Sequence, residues 1–266
     1  MAVTPAPMVE MRGISKRYGG VEALAAVDFD VWPNEIHGLV GDNAAGKSTL
    51  IKILSGAVAM DEGAITFEGQ PAHIKSPRDA KALGIETVYQ DLALADNLDV
   101  PSNLFLGREL MRKGPAGWFL DLVRMREEAR ALLERLKIHL PNLRQRLRDM
   151  SGGQRQCVAI ARSVYFNARL VILDEPTAAL GVKETERVMD LVAQMREHGL
   201  AVVMISHNLN HVFHLCDRIT VLKTGRIAGS RRVAETTREE IVRLILTGGA
   251  AAEDTPAAAR PVAMTA

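Results

Sequence analysis

The chain predicts an α/β layered fold with a mostly parallel central sheet, and three observations carry that prediction. The apolar run Ile36–Val40 passes through a glycine-bearing loop into a second apolar stretch, Leu50–Leu54, the pattern of a strand, a tight turn and a helix. Two more runs, Leu170–Leu173 and Ala201–Ile205, are apolar without alternation, as strands covered on both faces must be. Helical periodicity fills the stretches between these runs.

Taken in order, Val9–Ser15 and Val27–Val31 read as strands, the second alternating Val27, Phe29, Val31. Asp61-Glu62-Gly63 turns the chain into a strand at Ala64–Phe67, and Ile85–Tyr89 is a further strand ending at Gln90. Met125, Ala129, Leu132, Leu133 and Leu136 fall on one face of a helix over Met125–Lys137. Another helix starts near Gly152-Gly153 and runs through Val158, Ile160 and Ala161. Lys183–His198 places Val188, Leu191, Val192 and Met195 inward and stops at Gly199. Thr224-Gly225 joins Ile219–Lys223 to Arg226–Gly229 as a hairpin. Thr236 or Thr237, with Glu239 or Glu240 three residues on, caps a last helix through Leu246.

Composition narrows the possibilities. The 266 residues carry a formal net charge of +1, which leaves no broad cationic footprint for nucleic acid. Cys157 and Cys216 are far apart, lack metal-ligand spacing and fit a reducing compartment. Met1–Pro7 has no apolar stretch of a secretory leader, and no run approaches the roughly 18–20 apolar residues of a membrane span. Residues 1–247 read as one domain, with a core of 1–93 and 166–247 and a helical insert over about 94–165. The Ala- and Pro-rich tail, 248–266, reads as disordered.

The chemistry begins at residues 41–49, Gly-Asp-Asn-Ala-Ala-Gly-Lys-Ser-Thr, which complete G-x-x-x-x-G-K-S. In its strand–loop–helix setting this loop directs backbone N–H groups at nucleotide phosphates, with the helix N-terminus adding positive potential. Lys47 reaches the β- and γ-phosphates and the Ser48 hydroxyl suits Mg²⁺. The strand Leu170–Leu173 runs into Asp174-Glu175, a carboxylate for Mg²⁺ beside a carboxylate able to orient or deprotonate water. Ser151-Gly152-Gly153-Gln154 opens a helix with free backbone donors. His207, His211 and His214 share a helical face, but no fourth ligand accompanies them. Arg144, Arg146 and Arg148 read as a solvated or partner-facing loop, since no aromatic side chains interleave them.

In this order the motifs resemble those of the ATP-binding-cassette ATPases, from about Val9 to about Gly248. Gly41–Thr49 is similar to the Walker A loop, Gln90 to the Q-loop, Ser151–Gln154 to the signature, Leu170–Glu175 to Walker B and His207 to the switch histidine. The resemblance implies a P-loop NTPase (RecA-like) core with a mostly parallel sheet, an antiparallel β subdomain and an inserted helical subdomain. It implies ATP and Mg²⁺ as cofactors. Tyr18 would stack on adenine, and Gly41, Asn43, Ala45, Gly46, Lys47, Ser48 and Thr49 would hold the phosphates. Ser151, Gly152, Gly153 and Gln154 would meet the nucleotide of a second copy packed head to tail. Ser48, Gln90 and Asp174 would serve Mg²⁺, while Glu175, His207 and Gln90 would run hydrolysis.

Three residues depart from the family pattern. Ala44 replaces a glycine, an exchange that suits a negative φ. Met150 replaces leucine, a volume-conserving swap costing under about 1.5 kcal/mol. Gly181 removes a carboxylate that usually reaches the partner subunit.

The Val88–Leu94 and Leu98–Arg108 stretches, with Thr177–Gly181, resemble bacterial monosaccharide importers of the ribose, xylose and fructose type. That implies a homodimer on the cytoplasmic side of the inner membrane, docked on permease subunits and served indirectly by a periplasmic sugar-binding protein. Leu104 and Phe105 are expected to be exposed for this docking. The competing class, soluble cassettes acting on nucleoprotein, usually fuses two cassettes or carries a long coiled coil. Neither feature is present here, and no nucleic-acid partner is expected.

Overall fold

A computed structural model describes residues 6–114 and 117–249; of the tail expected to be disordered, residues 250–266 lie outside the described residues. The strands are β1 Val9–Tyr18, β2 Val21–Val31, β3 Ile36–Val40, β4 Glu62–Phe67, β5 Gln70–Pro71, β6 Ile85–Val88, β7 Leu170–Asp174, β8 Ala201–Ile205, β9 Arg218–Lys223 and β10 Arg226–Arg232. The helices are α1 Lys47–Leu54, α2 Pro77–Ala82, α3 Val100–Leu104, α4 Leu122–Arg135, α5 Gly152–Tyr165, α6 Val182–Glu197, α7 Leu209–Leu215 and α8 Arg238–Thr247.

Two sheets form, in the orders β2-β1-β4-β5 and β10-β9-β3-β8-β7-β6. The first is antiparallel; in the second only β10 runs against its neighbour. The unbroken apolar runs of β7 and β8 now have a cause. Val171, Leu173, Val202 and Met204 join one core with α4, α5, α6 and α8. Leu170, Ile172, Val203 and Ile205 join another with α1 and the antiparallel sheet. Successive side chains point to opposite faces, so a sheet covered on both sides needs every position apolar.

β1 and β2 run longer than the alternation indicates. Ala26 has a φ of +49° at an irregularity in the β1–β2 register. Its amide bonds to the Ser15 hydroxyl at 3.0 Å. A bulge of this kind moves following side chains to the other face and hides the period of two. The short helices α2 and α3 carry no periodic signal in the sequence, and α7, which the histidine spacing indicates, starts only at Leu209, so His207 stands before it rather than on its face. Each is fixed by a side-chain cap, Ser76 on the Asp79 amide, Asp99 on Ser102 and Asn208 on Asn210, rather than by an apolar stripe. In α8 the cap is Thr237, which accepts the Glu240 amide at 3.2 Å.

One expectation is overturned here: Leu104 and Phe105 are fully buried. The Phe105 ring meets Tyr165 edge-on at 4.7 Å and Phe166 at 6.4 Å. The Arg108 guanidinium lies 4.2 Å from the Phe166 ring centroid and closes the cluster. Leu106, 45% exposed, is the apolar side chain of this segment that faces out.

Candidate functional site

The strands β3, β8, β7 and β6 are parallel neighbours, so their C-terminal ends open at one edge, where ligands of open α/β sheets bind. β3 delivers the Gly41–Gly46 loop, β7 delivers Asp174 and Glu175, β8 delivers Ser206-His207, and β6 delivers Tyr89-Gln90.

The phosphate loop is shaped by its neighbours. Gly41 and Gly46 have φ of +148° and +105°, and a Cβ would come within 2.1 Å of the Leu222 carbonyl oxygen at the first and 2.6 Å of the Ala23 carbonyl oxygen at the second. Only glycine fits where β2 and β9 press on the loop. Gly225 anchors it from behind by donating its amide to the Ala45 carbonyl at 2.9 Å. Gly46 caps α1 without a side-chain hydrogen bond, which leaves the first-turn amides directed at the site. Ala44 corrects the sequence reading: its φ is +63°, in the left-handed region. The family's glycine would sit there without strain, whereas alanine carries a cost of about 1 kcal/mol or more.

Lys47 folds back over this loop and donates to the carbonyls of Gly41 at 2.7 Å and Asp42 at 2.8 Å. Burial lowers its pKa, while Glu175, Asp42 and Asp174 oppose that shift. Ser48 is exposed and Thr49 half-buried in the first turn of α1. Asp174 has its pKa raised, by burial first and by the Glu175 charge second. Glu175 itself has a φ of +50°, and its amide bonds to the Ile205 carbonyl at 3.0 Å. Its Oε2 lies 2.8 Å from His207 Nδ1, with the histidine 76% exposed and the carboxylate 17%. Backbone strain held by a β8 hydrogen bond aims this carboxylate out of the sheet.

Gln90 lies in the bend after β6. Its neighbour Tyr89 places its hydroxyl 2.9 Å from Ser55 Oγ at the end of α1. Tyr18, 47% exposed, ends β1 at the hairpin whose other strand borders the phosphate loop through Ala23. Asn43 is exposed in the loop itself.

The Ser151–Gln154 turn is placed differently. It opens α5 as a reciprocal capping box, with Gln154 N on Ser151 Oγ at 3.3 Å and Ser151 N on Gln154 Oε1 at 3.0 Å. Gly152 faces Leu180 and Gly153 faces Glu184, both in the segment after Glu175. Gly181 caps α6 and donates its amide to Glu184 Oε2 at 3.1 Å.

Sequence reasoning missed a joining role for His211. Its Nδ1 lies 3.1 Å from Thr177 Oγ1 and its Nε2 lies 3.2 Å from Asn208 Nδ2. The ring therefore stitches the loop after Glu175 to the loop carrying His207. Spacing from His207 was the available signal, and it reads equally as a helix face.

A family model described as "ABC transporter" matches residues 24–178. The fructose import ATP-binding protein of Rhizobium meliloti is 50% identical over 224 residues, covering 83% of this chain and 86% of that protein. The xylose/arabinose import ATP-binding protein of Sulfolobus acidocaldarius is 44% identical, covering 90% and 93%. A ribose import ATP-binding protein of Rubrobacter xylanophilus is 45% identical, and the match spans 47% of its length. Among solved structures, the ADP conformation of an ATP-binding cassette of an ABC transporter aligns with a TM-score of 0.77 at 26% identity, covering 92% of this chain and 96% of that one. A nucleotide-free cassette aligns with a TM-score of 0.76, also at 26% identity, covering 91% and 95%.

Proposed function

The chain belongs to the ABC transporter family, and from that premise we propose that it is the ATP-hydrolysing subunit of an importer that brings a monosaccharide through a membrane permease. The observation that carries the hydrolytic part is the meeting of Lys47, Asp174 and the Glu175–His207 pair at one sheet edge. The sugar part rests on the import ATP-binding relatives.

The loop amides and Lys47 bind the nucleotide phosphates, and Tyr18 presents its ring to the base. Ser48 and Asp174 offer hard oxygen donors, and the crowding of Asp174 against Glu175 suits a divalent cation. Mg²⁺ bound there would supply charge neutralisation at the β- and γ-phosphates. Glu175 orients a water and takes its proton as the water oxygen bonds to the γ-phosphorus. The bond to the β–γ bridging oxygen breaks, giving ADP and phosphate. His207 holds Glu175 in place, and Gln90 reports the state of the site toward the helical lobe.

Each chain has one phosphate loop and one Ser151–Gln154 turn, so two copies pack head to tail and each turn completes the other's site. Among the described residues no helix is long and apolar enough to cross a membrane. In this reading the subunit sits peripherally on the cytoplasmic side, with the 90–108 segment toward the permease and a periplasmic sugar-binding protein delivering the cargo. Deletion of the chain should abolish growth on one monosaccharide as sole carbon source. The wild-type chain should restore it and Glu175→Gln should not. Unchanged growth of the deletion strain on every monosaccharide tried would overturn the sugar assignment.

A further inference from the structure

His207 reaches Glu175 from a ring that is 76% exposed, so its place depends on the backbone that carries it. That backbone is tied a second time to the segment Glu175 belongs to. His211 Nδ1 lies 3.1 Å from Thr177 Oγ1, and His211 Nε2 lies 3.2 Å from Asn208 Nδ2. Thr177 sits in the turn that Glu175 opens, where the Ala178 amide donates to the Glu175 carbonyl at 3.1 Å. Asn208 follows His207 directly, and its backbone amide donates to the hydroxyl of buried Ser206 at 3.1 Å. These links close a ring. It runs along the chain from Glu175 to Thr177, by hydrogen bonds through His211 to Asn208, back one residue to His207, and from there to Glu175.

The partners of His211 also fix where its proton lies. Asn208 Oδ1 accepts the Asn210 amide at 3.0 Å as the cap of α7, so the group turned to His211 is the amide nitrogen. That nitrogen is a donor and needs an acceptor, so Nε2 carries no proton. In the neutral ring the proton is then on Nδ1 and goes to Thr177 Oγ1. A doubly protonated ring would set Nε2–H against the Asn208 N–H. Burial, and then the charges of His207 and His214, hold the His211 pKa below the usual histidine value, while Glu175 opposes them. Glu186 and Asp190 of α6 line the same cavity as His211.

We propose that His211 is a positioning residue for hydrolysis: in its neutral, Nδ1-protonated form it fixes the loop of His207 against the turn of Glu175, and so holds that histidine on the carboxylate. This rests on the reading of Glu175 and His207 as the hydrolytic pair. The phosphate loop takes no part in the ring, so the quantity His211 governs is turnover rather than ATP binding.

His211→Phe keeps a ring and removes both hydrogen bonds. In a variant that melts as the wild type does, kcat should fall about tenfold, near the upper range for one neutral hydrogen bond, with the KM for ATP within about twofold. His211→Asn offers an amide N–H close to the place of Nδ1 and should recover most of kcat. Thr177→Val removes the acceptor; it should cost about as much by itself and leave His211→Phe nothing to add. Where His211→Phe lowers the melting temperature, Thr177→Val carries the same test alone. Long-range ¹H–¹⁵N spectra of histidine-labelled wild type, at about pH 7.5, should show His211 with its proton on Nδ1. A proton on Nε2 would overturn the proposal, as would unchanged kcat in His211→Phe and Thr177→Val, or a further tenfold loss when the two are combined. If Glu175→Gln hydrolyses ATP like the wild type, the hydrolytic reading itself fails, and this proposal with it.

Discussion

The sheet edge holds its chemistry on loops that enter and leave as buried backbone, whereas the Ser151–Gln154 turn stands at a half-exposed helix start and leans on one carboxylate. At the edge, Gly41 and Gly46 are wedged under β2 and β9, and Glu175 is pinned in a strained conformation by a β8 carbonyl. At the turn, the contacts are Leu180 and the partly exposed Glu184. The difference teaches that the first region is preorganised by the core, and that in the proposed head-to-tail pair the second is the surface left to shift as the other copy arrives. Preorganised dipoles and charges are what lower a barrier. A movable surface is what lets assembly gate the reaction.

The largest break should come at the preorganised edge. Glu175→Gln removes the carboxylate proposed to take the proton while keeping the shape, and steady-state hydrolysis should fall by about 10²–10⁴-fold with ATP still bound. Near wild-type turnover would remove Glu175 from the role of base.

Next in size is the foundation of the helical lobe. Phe105→Ala empties the ring cluster with Tyr165 and Phe166 and should cost about 3–5 kcal/mol in a urea melt. Leu106→Ala on the exposed side of the same segment should stay within about 0.5 kcal/mol. Equal effects at the two positions would erase the distinction between packed and docking side chains.

A third test reaches the strand beneath the phosphate loop. His37 is fully buried on β3, stacked on Phe29, with Nε2 2.7 Å from Thr220 Oγ1 and Nδ1 3.0 Å from the Asp30 carbonyl. Burial and then Arg218 push its pKa down to about 4 from 6.5, with Glu35 and Asp30 opposing. Between those values the unfolded chain binds a proton that the folded chain refuses. Stability contributed by the neutral ring is therefore intact above 6.5 and declines as pH falls toward 4, by about 3 kcal/mol in all. Urea melts at pH 7 and pH 5 should show about 2 kcal/mol of this, and His37→Gln should flatten the dependence.

The smallest effect is at the loop itself. Ala44→Gly relieves a φ of +63° and should raise stability by about 1 kcal/mol, or about 2–4 °C in melting temperature. A loss of stability would mean that the alanine methyl group makes a contact worth more than the strain.

Much of this is legible in the sequence. The strands around Ile36, Leu170 and Ala201 announced themselves because both sheet faces demand apolar residues, and the helix over Met125–Lys137 showed its stripe for the same reason. The phosphate loop was legible because its glycines answer a local backbone demand. Phe105 was misread because one short segment gives no period from which to assign a face. The Arg218 network with Asp30 and Glu35, which surrounds His37, spans chain separations of more than 180 residues and leaves no local trace.

By itself, then, the sequence determined what is local or periodic: the phosphate loop, the start of α5 near Gly152, and the alternation of buried strands with amphipathic helices. The tertiary structure alone decided what depends on distant segments meeting. It put Ala44 into a left-handed conformation, set Glu175 against His207, and packed Glu184 against Gly153. Backbone propensity and side-chain pattern act over a few residues and are written in order along the chain. A hydrogen bond between loops of different strands depends on how the sheet stacks them, and only the folded chain fixes that.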